Sequence, residues 1–313
     1  MTALVILSAV GVLALPALLA PLGRRLSPRE WASMTAVALA AGFSLLELGL
    51  LFSVIPTVLR FAGVDGLAAA CERLLGPLAN SGPVVAWTAA LLATAMGVLG
   101  IRAVRRVRGV RRMLSAESWL GERHNVGSQE VLVVPAGIPF AVALDGPQPS
   151  ILISSEMLDS LSPTQLEAVV RHEAAHLTRH HGALLMLAAV VDDSVGRLVP
   201  PLRRSAQTLR LAIERWADEE AVASSPGQRS VLRSALVAVA CSHAALPVPA
   251  LNDANTVMAR IDALAESPVR PGRVAHAAAY GPGLVLGVGS IVALAEWTGH
   301  AHMLIAMAGT CPL

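Results

Sequence analysis

The chain has 313 residues, 54% of them apolar by type, and a mean hydropathy of +0.61. That is too apolar for an ordinary water-soluble protein and calls for membrane spans. A net charge of +2 gives no global basic field for nucleic acid, and three cysteines without a CxxC pair give no disulfide framework.

Residues 3–22 (Ala3 to Leu22) carry no charge and reach the ~20 residues a bilayer crossing needs. No basic residue precedes them, and Arg24 and Arg25 follow, so an uncleaved span fits better than a signal peptide. Residues 31–59 form a second expected span, with Glu47 near its middle, where a carboxylate normally faces protein or water. Gly63 to Gly82 reads as a mixed loop with room for a short amphipathic helix around Leu67–Leu75.

Residues 84–104 form a third expected span, running into Arg102, Arg105, Arg106, Arg108, Arg111 and Arg112. Arginine-rich flanks stay in the cytoplasm. Together with Arg24, Arg25 and Arg29, this cluster places the N-terminus outside and the segment after the third span inside. All 24 basic residues other than histidine are arginine, which fits a GC-rich bacterial genome and hence a bacterial plasma membrane.

Residues 105–275 read as a cytoplasmic α+β domain. Glu130–Val134, Phe140–Leu144 and Ile151–Ser154 are short strand-like runs separated by Pro, Gly and Asp. Ser162-Pro163-Thr164-Gln165 then opens a helix with a capping box and a proline at its first position. Leu184–Val191 is apolar but too short to span. Leu202–Ala223, Gln228–His243 and Asn255–Glu266 read as further helices. In residues 276–313, about 280–297 form a fourth expected span anchored by Tyr280, with a short outside tail whose His300 and His302 give a polar end. Cys71 and Cys311 both fall outside and could pair.

The capped helix carries His172-Glu173-Ala174-Ala175-His176. Histidines four apart project from one helical face, with Glu173 at its edge, a pattern suited to zinc and to a base for the water it activates. Glu214, on a later long helix, can supply a third ligand and leave one position open for water. Asp218, one turn on, is placed to accept the free N–H of a ligating histidine. The expected set is therefore one Zn²⁺ per chain on His172, His176 and Glu214, with Glu173 as general base and Asp218 behind the ligands.

The segment L-S-P-T-Q-L-E-A-V-V-R-H-E-A-A-H followed by E-R-W-A-D resembles the gluzincin membrane peptidases. Three spans, a zinc domain and a fourth span resemble the BlaR/MecR-type antirepressor branch, as does the Arg-Ile-containing helix Met258–Leu264. HtpX-type proteases instead insert spans between HExxH and the third ligand, and the interval after His176 is too short for that. The resemblance implies a zinc-dependent endopeptidase whose substrate is a cytoplasmic protein, such as a BlaI-like winged-helix repressor. It also implies that Phe140–Leu144 is the edge strand along which substrate lies. The penicillin-binding sensor of BlaR-type receptors is not expected, which makes a separate sensor protein a candidate partner. The alternatives are an HtpX-like quality-control protease and a non-proteolytic signalling subunit. His181 falls where these branches vary between an acidic residue and a histidine, and no ligand role is assigned to it.

Overall fold

The apolar runs become long helices. The computed structural model describes residues 2–23, 25–75, 83–118, 121–146, 148–223, 227–242 and 254–266. Helix α1 (Thr2–Leu18) ends short of the expected Leu22. The chain breaks at Leu19, whose carbonyl accepts from both Leu22 and Gly23, and resumes in the single turn α2 (Ala20–Gly23). Helix α3 (Pro28–Phe61) starts on Ser27, whose hydroxyl accepts from the Glu30 N–H, and contains the whole expected second span. After α4 (Asp65–Leu75), helix α5 (Pro83–Glu117) runs on well past Val104, so the arginine cluster rides on the same helix as the third expected span.

Helices α3 and α5 are long and apolar enough to cross a membrane. Only 33% and 28% of their most apolar windows are buried inside the fold, whereas the core helix of a water-soluble protein is mostly buried. Val37, Leu51, Val84 and Leu91 are among the apolar side chains they leave exposed. Helix α1 is shorter and lies against α3. A Cβ added at Gly42 would sit 2.8 Å from the Leu13 Cγ, so that close approach requires glycine.

The sheet has four strands, β1 (Glu122–Val126), β2 (Gln129–Val134), β3 (Ala141–Leu144) and β4 (Ser150–Ser154), in the order β1-β2-β4-β3. β1 and β2 form a hairpin through Gly127, whose φ of +57° suits glycine. β2 and β4 are parallel, and β3 pairs antiparallel with β4, leaving β3 at an edge. The short α6 (Ser155–Ser160) follows.

Helix α7 (Pro163–Thr178) shows the full capping box at Ser162 and Gln165. Its apolar face, Leu166, Val169 and Val170, packs on Val131, Ile151 and Ile153 of the sheet. Then come α8 (His181–Asp193), the turn α9 (Val195–Leu198), α10 (Pro200–Val222), α11 (Gln228–Ser242) and α12 (Ala254–Ala265). Pro200 and Pro201 occupy the first turn of α10, where the missing N–H groups cost nothing.

The domain expected beside the spans packs directly on the N-terminal helices: Ala188, Val191, Leu202, Ala206, Leu209 and Ile213 of α8 and α10 share one core with Leu13, Leu39, Leu46, Ala93 and Met96. Asp192 also receives Arg203 and Arg210 at 2.8 Å each, tying α8 to α10. The expected fourth span at 280–297, its outside tail, Tyr280, His300, His302 and Cys311 lie outside the described residues, so the pairing with Cys71 is not addressed.

Candidate metal centre

Two crossing helices build the site. α7 presents His172 and His176 one turn apart, and both are buried. α10 brings Glu214 and Asp218 to meet them, also one turn apart. The His172 and His176 Nε2 atoms are 3.1 Å apart. Glu214 Oε2 lies 3.4 Å from the former, and Oε1 lies 3.7 Å from the latter.

Tetrahedral bonds of 2.0–2.2 Å place ligand atoms about 3.4 Å apart, so the three donors stand at a spacing zinc accepts. Two imidazoles and a carboxylate also suit zinc chemically. Among the described residues, His172, His176 and Glu214 form a group that could hold a metal ion, all three donor atoms lying within 4.8 Å of one another.

Asp218 is placed as the spacing suggests. Its Oδ1 is 2.9 Å from His172 Nδ1, leaving Nε2 for a metal. Both carboxylates are in turn held by Arg260 of α12. Its Nε and Nη2 donate to Asp218 at 2.9 and 2.6 Å, and its Nη1 lies 2.9 Å from Glu214. Sequence reasoning gave Arg260 no role. The available signal was its place in V-M-A-R-I-D-A-L, where Val257, Ile261 and Leu264 mark the inward face and Arg260 falls among them. His243, the expected end of the helix that starts at Gln228, lies outside the described residues.

Electrostatics follow from this packing. Burial opposes charge on Glu214, but Arg260 and the bond from His172 hold its carboxyl far below the usual range. The same balance, with Arg260 the strongest favourable influence, sets Asp218 at about 2. Burial and Arg260 work against protonation of His172, yet its bonds to Asp218 and Glu214 lift it to about 9. With two carboxylates ionised around it, this position favours positive charge. Burial pushes His176 down to about 3 and His181 to about 4, so both imidazoles are neutral.

Glu173 faces the cleft between α7 and β3. Burial, aided by the nearby Glu214 charge, pushes it up to about 7, although His172, the Ala143 backbone N–H and Arg260 pull the other way. The cleft encloses about 480 Å³ and is lined by Phe140, Val142, Ala143, Glu173, Leu236 and Met258, among others. Most of its lining is apolar.

Residues 121–200 match the model for peptidase family M48. The matched segment contains His172, Glu173 and His176, and it ends before Glu214, Asp218 and Arg260, which join them through the geometry above. The chain is also similar to the plastoglobule-localized metallopeptidase 48, chloroplastic, of Arabidopsis thaliana, at 27% identity over 96 residues. That similarity covers 29% of this chain and 27% of the relative, so the chain spans about a quarter of the protein it matches. No solved structure matches it.

Proposed function

We propose that the chain is an integral-membrane zinc metalloendopeptidase. The observation that carries this reading is the convergence of His172, His176 and Glu214 beside Glu173 in a segment matched by peptidase family M48. A zinc ion on those three residues would supply Lewis acidity, activating water and polarising a peptide carbonyl.

The chain's own residues do the rest. Asp218 fixes the His172 ring, and Arg260 keeps Asp218 and Glu214 ionised and in place. Glu173 is a carboxylate tuned near neutrality, where a general base is most effective. It takes a proton from water at its carboxylate and passes it to the departing amine. β3 is an open sheet edge, and an extended peptide laid along it is held by backbone hydrogen bonds within reach of Glu173.

The arginines on α5 support an orientation in which the site faces the cytoplasm and the N-terminus lies outside. With four spans, the fourth at 280–297, the layout is that of the BlaR/MecR type. On this reading the substrate is a cytoplasmic protein, in the first instance a BlaI-like winged-helix repressor. A second reading, clearance of damaged membrane proteins, is favoured by the packing of α8 and α10 on α1, α3 and α5, which sets the site close to the apolar helices.

The detergent-purified full chain, incubated with a BlaI-type repressor, should release discrete fragments, and Glu173→Gln should stop this while keeping zinc. Cleavage by Glu173→Gln at the normal rate would refute the mechanism. Proteomics of a deletion strain separates the two readings, by one stabilised repressor or many accumulated membrane proteins.

A further inference from the structure

His181 is fully buried, although the sequence offers no ligand role for it. Helix α7 ends at Thr178, and the chain reverses at His180, whose φ of 52° is in the left-handed region. The reversal brings the first residue of α8 back under α7. His181 Nδ1 then lies 3.1 Å from His176 Nδ1, and the two rings meet edge-on at 4.9 Å. On its other side the ring packs against Trp216 of α10, with centroids 4.6 Å apart. Trp216 is held in turn by its N–H to Glu220 and by the Arg29 guanidinium 5.9 Å from its ring.

A ligating imidazole gives one nitrogen to the metal and carries hydrogen on the other, and a fixed acceptor for that hydrogen sets its tautomer and orientation. Asp218 is that acceptor for His172. The His176 Nε2 faces His172 and Glu214, so its hydrogen belongs on Nδ1, where His181 Nδ1 is the neighbouring acceptor. The His181 hydrogen then lies on Nε2, a buried atom with no hydrogen-bond partner among the described residues.

We propose that His181 is a positioning residue that fixes the ring of His176 for metal binding, as Asp218 does for His172. The proposal rests on the zinc reading above. It makes the two ligand histidines unlike: one is backed by a carboxylate, the other by a neutral ring.

The test compares the full chain with His181→Phe, which keeps a ring against Trp216 but offers no acceptor, and His181→Asn, which restores an acceptor in less volume. Zinc affinity is measured by chelator competition, the cobalt(II)-substituted site by its visible spectrum, and the metal-free protein by its melting temperature. Losing such an acceptor should weaken zinc binding by about 10- to 100-fold. His181→Phe should show that loss and an altered cobalt spectrum whatever the change in its metal-free melting temperature, and His181→Asn should recover part of the affinity.

His181→Phe with wild-type affinity and spectrum would overturn the proposal. So would a loss equal in both variants and matched by a lower metal-free melting temperature. A wild-type chain that takes up no zinc would overturn the metallopeptidase reading itself, and that result is read before any variant.

Discussion

Arg260 grips Asp218 with two parallel donors, Nε at 2.9 Å and Nη2 at 2.6 Å, across 42 residues of chain, and both side chains are buried. The same guanidinium reaches Glu214, so α12 is locked to α10 at the candidate site. Removing one partner of a buried pair costs about 3–5 kcal/mol when the other charge is left alone. Arg260 keeps Glu214 in Asp218→Ala, so that variant should lose up to this amount in denaturant melts of the detergent-solubilised chain. Asp218→Asn, which keeps a side-chain oxygen, should lose less stability yet bind zinc about 10- to 100-fold more weakly.

Ser162 offers a cleaner measure of helix energetics. Its hydroxyl accepts from the Gln165 N–H, and Gln165 returns the bond to the Ser162 N–H at 3.0 Å. Ser162→Ala should cost about 1 kcal/mol in the same melts. Zinc content should not change, because the cap lies at the far end of α7 from His172 and His176.

Those two sites differ in how far the sequence revealed them. The start of α7 was legible, since its cap, proline and glutamine are local signals and four-residue spacing fixes the face shared by two histidines. That Glu214 and Asp218 share one helical face is legible from their four-residue spacing, whereas their meeting with α7 is a matter of tertiary packing. β1 was not foreseen: only Val126 of E-R-H-N-V is buried, so no apolar alternation marks it. Arg260 and His181 acquire their partners through tertiary packing, 42 and five residues away, which periodicity does not reveal. The shared core of α8, α10 and the N-terminal helices was equally hidden, because an apolar face does not name its neighbour.

That shared core gives a third prediction. Gly42 lets α1 and α3 approach, and a Cβ there would meet Leu13 at 2.8 Å and the Ala9 carbonyl at 3.1 Å. Gly42→Val should destabilise by about 1–3 kcal/mol through overpacking, read as a lower melting temperature in detergent.

Metal removal should act on the fold as well as on activity. A ligand that binds only the folded chain stabilises it by about 2.7 kcal/mol at a hundredfold excess over Kd. Chelation should therefore lower the melting temperature of the wild-type chain, and zinc should restore it. Glu214→Ala should show a much smaller zinc-dependent shift, since it removes one of three donors and one of the two carboxylates bonded to Arg260.

The most direct test is the zinc content of the detergent-purified full chain, measured by elemental analysis beside that of His172→Ala and Glu214→Ala. One zinc per wild-type chain, falling well below one in both variants, is the expected result. A wild-type chain without zinc, or variants that retain a full equivalent, would contradict the assignment of His172, His176 and Glu214 as a metal centre.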